Sequence, residues 1–290
     1  MNSQLTGMAT ALQGLNPQDG LIATPLAGVE LACRYAPRTA RPCFYQAACI
    51  LLVQGQKELL FGERQLEIEG GEYILSCTSV PVFSKVVRAT PQEPTISLIL
   101  NLEPALMAQL ICDLELEGQF EEAQFLESFP LEIGGLEIWR RLVQLLQMEA
   151  PLQRVLWPGL KRELYCHLLL GPGSSALRGT YQAGAVPCQI ARALSILQNS
   201  FKERLAMERL AQEVNLSPSA FYRHFKRLLQ VTPLQYQKYL RLQEAQQLLW
   251  AGWEVQQAAY EVGYESPSQF SRDFKRRFGL SPSAVGAGKE

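Results

Sequence analysis

The chain has 290 residues, of which 47% are hydrophobic and 19% are charged, and its formal net charge is −1. This is ordinary globular composition, which excludes wholesale disorder and collagen-like structure, and at roughly 100–200 residues per domain the length predicts two domains. No apolar run approaches the ~18 residues that a membrane helix needs, so we expect no membrane partner.

The N-terminus and the cysteines predict a cellular compartment. The opening residues, MNSQLTGMATALQG, lack the basic and apolar regions of a secretory signal. Seven cysteines, an odd count, are scattered without any CxxC pair, which favours reduced thiols over a disulfide framework. We therefore expect a cytoplasmic protein. The chain has only two histidines, His167 and His224, which nearly excludes catalysis at a histidine-bound metal.

The charge is divided unevenly along the chain. Residues 187–290 carry 14 Lys and Arg against 9 Asp and Glu, whereas residues 1–186 carry 13 against 19. A basic C-terminal third favours a module that binds a polyanion. An ordinary fluctuation of surface charge explains the division equally well, so charge alone leaves both interpretations open.

Residues from about 20 to 102 are rich in strand signals. The segment ACILLVQG is a short apolar run closed by Gly55, and apolar and polar residues alternate in TISLILNL (95–102). Between them, KELLFGERQLEIEGGEYILSC predicts hairpins that turn at Gly62-Glu63 and at Gly70-Gly71. Short strands with glycine turns predict a small antiparallel barrel or sandwich.

From about residue 103 to 170 the apolar period becomes helical. Pro104 can begin one helix, residues 136–148 place apolar side chains at helical spacing, and Leu160, Leu164 and Leu168 repeat every four residues on a third. Residues 1–170 are therefore predicted to form a β domain followed by an α-helical extension. The next segment, GPGSSALRGTYQAGAVP (171–187), is rich in Gly, Ser, Ala and Pro, and it predicts a linker without regular structure.

An internal repeat is the most informative feature of the remaining residues, 188–290. SPSAFYRHFKRLLQVTP (217–233) and SPSQFSRDFKRRFGLSP (266–282) align without gaps, and nine of the seventeen positions are identical. Each copy follows a matching upstream segment, ERLAQEV or VQQAAYEV. The two copies are joined by a long amphipathic segment that begins at Thr232-Pro233.

Each copy carries the signals of a capped helix. Ser217 and Ser266 can act as N-caps, and a proline follows each at the first helical position, where a missing N–H costs nothing. The shared phenylalanines fall on one face and predict a core stripe, which leaves basic and polar residues on the opposite face. A helix, a tight turn and a capped second helix with an exposed basic face form the helix-turn-helix pattern. One such pattern is a weak signal, but two copies 49 residues apart are a strong one.

These residues resemble a known family. PLQYQKYLRLQEAQQLL (233–249) and VGYESPSQFSRDFKRRFGLSPS (262–283) are similar to the bridging helix and the C-terminal signature of AraC/XylS-type transcription regulators. Less specifically, PCFYQAACILLVQGQKELLFGE, GGEYILSCTSVPV and EPTISLILNL resemble the effector domain of one AraC-type subgroup. The resemblance implies an α+β two-domain chain. Residues 1–170 would form a cupin-like β-barrel with an α-helical extension, a domain for effector binding and dimerisation. Residues 188–290 would form an all-α, DNA-binding double helix-turn-helix domain.

The resemblance also implies roles for the exposed faces of the repeat. The positions that read bases in the family fall on Ser219, Tyr222, Arg223, Ser268, Gln269 and Arg272. The chemistry agrees, because Arg pairs bidentately with guanine and Gln with adenine. Four further residues suit phosphates, which position a protein without specifying sequence, and these are Lys226, Arg227, Lys275 and Arg276.

The N-terminal domain gives weaker signals. Residues 20–110 contain no histidine, so the metal motif of cupin enzymes is absent, and we expect no enzymatic role, no metal and no cofactor. A hard-cation site on Glu67, Glu69 and Glu72 is the alternative left open. The effector site is not identified. Cys49 and Cys77 are weak candidates, either as small apolar core residues or as a thiol sensor whose pKa a nearby cation lowers.

The partners follow from this interpretation. We expect double-stranded promoter or operator DNA, an unknown small-molecule effector and RNA polymerase. The resemblance favours a homodimer through residues 134–170, although these helices could equally pack on the chain's own β domain. The predicted function is a sequence-specific, DNA-binding transcriptional regulator that responds to a small-molecule effector. The alternative is a small-molecule-binding or metal-dependent cupin protein whose C-terminal helices make protein–protein contacts.

Overall fold

The computed structural model describes residues 2–116 and 124–286. The chain divides into two compact bodies. The N-terminal body consists of the residues up to 40 and residues 44–188. The C-terminal body consists of residues 41–43 and 189–290. Across the described residues, no helix combines the length and the apolar character needed to cross a membrane.

The N-terminal body contains two β-sheets preceded by a helix, α1 (Asn2–Gln13). Its strands are β1 (Gly20–Ala23), β2 (Val29–Arg34), β3 (Arg38–Tyr45), β4 (Ala48–Gln54), β5 (Gln56–Phe61), β6 (Arg64–Glu69), β7 (Glu72–Ser76), β8 (Val80–Arg88), β9 (Thr95–Asn101) and β10 (Leu126–Pro130). The six-stranded sheet has the order β1-β2-β9-β4-β7-β10, and the four-stranded sheet has the order β3-β8-β5-β6. The expected two-domain fold with an N-terminal β domain is confirmed.

The predicted strands β4 and β9 lie at the centre of the six-stranded sheet. β9 is paired on both edges, with β2 and with β4, and most of its residues are buried. Its polar positions are satisfied internally, since Thr95 Oγ1 donates to the carbonyl of Arg88 and Ser97 Oγ accepts from the buried Lys57 ammonium at 2.8 Å. Lys57 lies on β5, so this bond joins the two sheets.

One of the two predicted hairpins is confirmed and the other is wrong. β5 and β6 pair antiparallel across Gly62-Glu63, with Phe61 opposite Arg64. At Gly70-Gly71 the chain does turn, with Gly71 at φ 97°, but β6 and β7 belong to different sheets. β7 is buried and pairs with β4 and β10, so the turn passes the chain from one sheet to the other. Local sequence identifies such a turn, whereas the partner of the next strand depends on distant residues.

The predicted helical extension is present but interrupted. Its helices are α2 (Pro104–Asp113), α3 (Ile133–Leu146) and α4 (Ala150–Leu170). Strand β10 lies among them, so the prediction of a purely helical region is wrong. Its residues, LESFP, pair with β7 at the edge of the six-stranded sheet, but the segment is too short to show a clear alternation in the sequence. The unpredicted α1 buries Leu5, Met8 and Leu12 at helical spacing.

The absence of regular structure predicted for residues 171–187 is wrong for part of the segment. Helix α5 spans Ser174–Tyr181, and the next helix begins at Val186. Leu177 is fully buried, so apolar burial stabilises a helix that the small residues around it do not predict. The domain limits of 1–170 and 188–290 stay a prediction.

Apart from residues 41–43, which lie in β3, the C-terminal body is helical in its described part. Its helices are α6 (Val186–Ser200), α7 (Met207–Glu213), α8 (Pro218–Leu229), α9 (Pro233–Trp250), α10 (Val255–Glu261), α11 (Pro267–Phe278) and α12 (Pro282–Gly286). α9 begins with a capping box in which Thr232 and Gln235 satisfy each other's backbone N–H groups. It contributes Tyr236 to a core with α8 and Leu242 and Leu249 to a core with α10 and α11.

Candidate nucleic-acid interface

Two helix-turn-helix elements lie in the C-terminal body. The first consists of α7 and α8 and the second of α10 and α11. Asn215 in the first turn and Gly263 in the second take left-handed backbone conformations, with φ of 58° and 87°. Asn and Gly adopt this conformation more readily than other residues do, so each helix ends where the sequence places them.

The second helix of each element starts at a serine cap, as predicted. Ser217 Oγ accepts from the backbone N–H of Ala220 at 3.3 Å, and Ser266 Oγ accepts from that of Gln269 at 3.4 Å. A proline occupies the first turn of both helices. Each cap satisfies an N–H group that the helix leaves unpaired and contributes about 1 kcal/mol to helix stability.

Aromatic side chains fix the orientation of both helices. Phe221 and Phe225 of α8 are fully buried with ring centroids 5.5 Å apart, and Phe270 and Phe274 of α11 repeat this arrangement at 5.5 Å. Because these rings occupy one face of each helix, the opposite face is turned to solvent. The predicted core stripe is confirmed.

Most of the predicted contact residues are exposed on those opposite faces. On α8 they are Ser219, Arg223 and Lys226. On α11 they are Ser268, Gln269, Arg272, Lys275 and Arg276. Tyr222 and Arg227 differ in being partly buried. The structure thus brings each set to one helix face, while contact with DNA stays a prediction.

Four of these cations are not engaged by carboxylates. Within residues 2–116 and 124–286, the side chains of Arg223, Lys226, Arg272 and Lys275 have no Asp or Glu at ion-pair distance. The nearby acids pair elsewhere, as Glu261 does with Lys202 at 2.5 Å. The exposed faces of α8 and α11 therefore present positive charge that an external anion can bind.

Tyr222 lies at the edge of the first helix face. Its ring meets Phe221 edge-on, with centroids 6.0 Å apart. Partial burial raises the pKa of Tyr222, and the charge of Glu208 adds to this, so the phenol remains a protonated donor at neutral pH. The hydroxyl can donate to an acceptor or accept from a donor, which suits either a base edge or a phosphate.

His224 follows Arg223 on the same helix. Its Nε2 lies 3.3 Å from Nη2 of Arg223, and its buried Nδ1 has no hydrogen-bond partner among the described residues. Burial lowers the pKa of His224, and the cations Arg227 and Arg223 lower it further. The neutral imidazole is therefore favoured, and its Nε2 lone pair can accept from the Arg223 guanidinium.

Asp273 is a buried neighbour of the predicted contact residues that the sequence analysis did not identify. It occupies the position in the second copy that His224 occupies in the first. Its buried carboxylate lies 3.1 Å from Nζ of Lys238 on α9 and 3.7 Å from Nη1 of Arg276. The only signal in the sequence was this difference between two otherwise matching copies. Arg277 adds a second link to α9, since its guanidinium lies 4.0 Å from the ring centroid of Tyr239.

The two candidate cysteines of the N-terminal body are fully inside the protein. Cys49 and Cys77 are free and buried. Burial raises the pKa of both thiols, that of Cys77 to about 12. A thiol sensor needs the opposite shift. The first two basic residues after Cys77 in the sequence pair with acids instead, Lys85 with Glu58 at 2.9 Å and Arg88 with Glu69 at 3.7 Å. Any part of these cysteines in effector binding stays a prediction.

The carboxylates considered for a hard cation are exposed or internally bonded. Glu67 and Glu69 are exposed on β6, and Glu72 accepts the backbone N–H of Glu69 at 2.7 Å. In the part of the chain that the structure describes, no group of three or more His, Cys, Asp or Glu side chains is placed to hold a metal ion.

Two family models match the chain. A model described as the AraC-type transcriptional regulator N-terminus matches residues 25–176, which is 152 of the 290 residues. A model described as a helix-turn-helix domain matches residues 210–287. The second match contains both capped helices, α8 and α11.

Curated relatives include proteins named as transcription activators. The lactose operon transcription activator of Staphylococcus xylosus is 30% identical over 103 residues, which cover 35% of this chain and 37% of that protein. The HTH-type transcriptional activator RhaS of Escherichia coli O139:H28 is 25% identical over 177 residues, 61% of each chain. The chain thus aligns with less than two thirds of the length of either relative.

Solved structures of ToxT from Vibrio cholerae share the fold. Wild-type ToxT bound to an unsaturated fatty acid aligns with a TM-score of 0.57 at 14% identity, over 89% of this chain and 94% of that one. The apo form of a ToxT point variant aligns with a TM-score of 0.56 at 12% identity, over 93% of this chain and 99% of that one. At these identities the likeness establishes the architecture alone.

Proposed function

The chain belongs to the AraC-type transcriptional regulators, and from this premise we propose that it is a sequence-specific DNA-binding regulator that responds to a small-molecule effector. One observation carries the proposal. Two capped helices, α8 and α11, each turn a basic face to solvent, with cations that no described carboxylate engages. Helices of this kind enter the major groove, where basic and polar side chains meet base edges and phosphates.

The residues divide into two proposed roles. Arg223 and Arg272 each pair with a guanine, and Gln269 pairs with an adenine, because Arg and Gln side chains offer bidentate geometry to these bases. Tyr222, Ser219 and Ser268 contact bases or ordered water beside them. The remaining cations hold the backbone of the duplex through its phosphates, and these are Lys226, Arg227, Lys275 and Arg276. α9 bridges the two elements, so one protomer reads two short DNA sequences, here called boxes. The boxes lie about one turn of the DNA helix apart, roughly 34 Å.

The N-terminal body is proposed to hold the effector and to regulate the DNA-binding body, with no catalytic role. Support comes from the family match over residues 25–176 and from ToxT, a protein of the same fold that is solved with an unsaturated fatty acid bound. We further propose RNA polymerase as a partner, in line with the two relatives named as activators, and the cytoplasm as the compartment, in line with free thiols.

A homodimer is proposed through α4. Leu152, Val155 and Leu156 lie on one face of this helix and are 51%, 76% and 47% exposed. Three neighbouring apolar side chains at this exposure favour burial against a second copy. Val155→Glu should convert a dimer to a monomer in sedimentation velocity, whereas Ile133→Glu, at an equally exposed apolar residue on α3, should not. A monomeric wild type would overturn this part of the proposal.

The experiment that tests the function is selection of binding sites from a randomised duplex library by the full-length protein. We expect one enriched two-box motif, and binding to it should weaken steeply as salt rises because phosphate contacts release counterions. If no motif is enriched and salt does not affect binding to the duplex library, the result would instead favour a C-terminal body whose helices contact other proteins. The same assay with and without candidate small molecules then tests the response to an effector.

A further inference from the structure

Arg241 lies in the middle of α9 with its guanidinium surrounded by backbone carbonyls. Its Nε donates to the carbonyl of Phe201 at 2.7 Å, and Nη1 donates to that of Gly263 at 2.7 Å. Nη2 donates to the carbonyls of Glu203 at 2.9 Å and Lys202 at 3.3 Å. Four acceptors thus take up the donors of one planar group that has five N–H bonds.

One of these carbonyls belongs to the second helix-turn-helix element, and the other three belong to the segment that leads into the first. Residues 201–203, here called the entry turn, connect α6 to α7 and so precede the first element. Gly263 lies in the turn between α10 and α11 of the second element. One turn earlier on α9, Gln237 donates to the entry turn as well, to Phe201 at 3.0 Å and Glu203 at 2.9 Å. The bridging helix therefore contacts the entry turn through two side chains, and Arg241 joins that turn directly to the second element.

The entry turn and the second element also approach each other closely at this point. A Cβ atom on Gly263 would lie 2.1 Å from the carbonyl oxygen of Lys202, so only glycine fits there. Beside this contact, Lys202 pairs with Glu261 of α10 at 2.5 Å. The entry turn and the second turn are thus in van der Waals contact, with the Arg241 guanidinium beside them.

We propose that Arg241 is a positioning residue that fixes the separation and rotation of α8 relative to α11, and thereby restricts the protein to one spacing between its two DNA boxes. The inference rests on the proposed DNA-binding function. Adding one base pair between the boxes displaces the second by about 3.4 Å and rotates it by about 34°. While Arg241 links the entry turn to the second element, α11 cannot move by this amount relative to α8. Without this link, α11 can move.

The chemistry explains why this position requires arginine. A lysine ammonium has three N–H donors on one nitrogen, so it cannot donate to all four carbonyls that the guanidinium reaches. Arg241 donates to protein carbonyls with all three of its nitrogens, so it is not a base-reading residue. Its replacement should change the tolerated spacing and leave the base preferences within each box unchanged.

The test is site selection by the full-length protein from a randomised duplex library, followed by affinities for the selected site with zero, one or two base pairs inserted or removed between the boxes. Wild type should enrich one spacing. Arg241→Met should enrich two or more spacings with unchanged boxes, and its affinity for the wild-type spacing should fall about tenfold because buried carbonyls lose their donors. Arg192→Met, at an arginine of α6 without an ion-pair partner among the described residues, is the matched control and should behave as wild type.

The outcomes separate the inference from the function on which it rests. A wild type that enriches no motif contradicts the proposed function. An Arg241→Met protein with a native circular dichroism spectrum that keeps the single spacing, or that loses base preference without changing the spacing, overturns the inference alone. If Arg241→Met does not fold, Arg241→Lys decides in the same assay, since broadened spacing supports the inference and the wild-type spacing overturns it.

Discussion

Asp273 on α11 carries a buried carboxylate that lies 3.1 Å from the ammonium of Lys238 on α9. In the first copy of the repeat the same position holds His224, whose Nε2 lies beside Arg223 of its own helix. The second proposed reading helix is therefore attached to the bridging helix by an ion pair that the neutral imidazole of the first cannot form. Removal of the lysine would leave a buried charge without its partner, which proteins tolerate poorly.

The first prediction concerns this pair. Asp273→Asn should lower the local free energy of opening of α11 by about 1–2 kcal/mol, a modest value because Lys238 is half exposed and can be hydrated instead. Hydrogen exchange of α11 amides in the full chain measures the effect. In a double-mutant cycle, Lys238→Met should lower the opening free energy of α11 only slightly further once Asp273 is replaced. Additive effects of the two substitutions would mean that the pair does not couple α9 to α11.

The local features of the site could be predicted from sequence, but its tertiary links could not. The caps at Ser217 and Ser266 and the buried phenylalanines follow from neighbouring residues, so the repeat identified them. Asp273 and Arg241 act across helices, on partners 22 to 40 positions away, and no local pattern marks them. The turn at Gly70-Gly71 illustrates the same limit, because its glycines predict a reversal but not the sheet that β7 joins.

A second prediction is that the C-terminal body folds alone. Its helices enclose their own core, with Leu194 and Leu197 of α6 and Phe225 of α8 fully buried. A fragment of residues 184–290, which retains the whole of α6, should give a cooperative thermal transition by circular dichroism and bind the full-length protein's site. A helical fragment without a cooperative transition would contradict the two-domain interpretation.

A third prediction is a pH dependence of stability caused by His224. Its pKa is lowered in the folded protein by burial and by the neighbouring cations, so the unfolded chain takes up the proton first as the pH falls. Stability should therefore decrease below about pH 6.5, the ordinary value for histidine. Urea unfolding at pH 7.5 and pH 5.5, at constant ionic strength, measures the difference. The His224→Gln variant should lose less stability between pH 7.5 and pH 5.5 than wild type does. A loss equal to that of wild type would exclude His224 as the cause.

The fourth prediction separates phosphate contact from base reading. Lys226→Ala should weaken binding similarly for all sequences and reduce the slope of log affinity against log salt by about one, the loss of a single phosphate contact. Affinity measured at several salt concentrations, on the selected site and on a scrambled duplex, tests this. Lys85→Ala is the control, because Lys85 lies on β8 and pairs with Glu58. A change of base preference in Lys226→Ala would contradict a phosphate role.

The last prediction assigns one box to each exposed arginine. Arg223 on α8 and Arg272 on α11 occupy equivalent positions of the repeat, and neither has a carboxylate partner among the described residues. If each pairs bidentately with a guanine, replacement by alanine should cost about 1–3 kcal/mol of binding free energy and relax preference only in its own box. Site selection repeated with wild type, Arg223→Ala and Arg272→Ala shows which positions lose information. Because α8 and α11 are held in one body, the other box serves as an internal control in each experiment. Wild-type preferences in both boxes for both variants would mean that these arginines do not read bases.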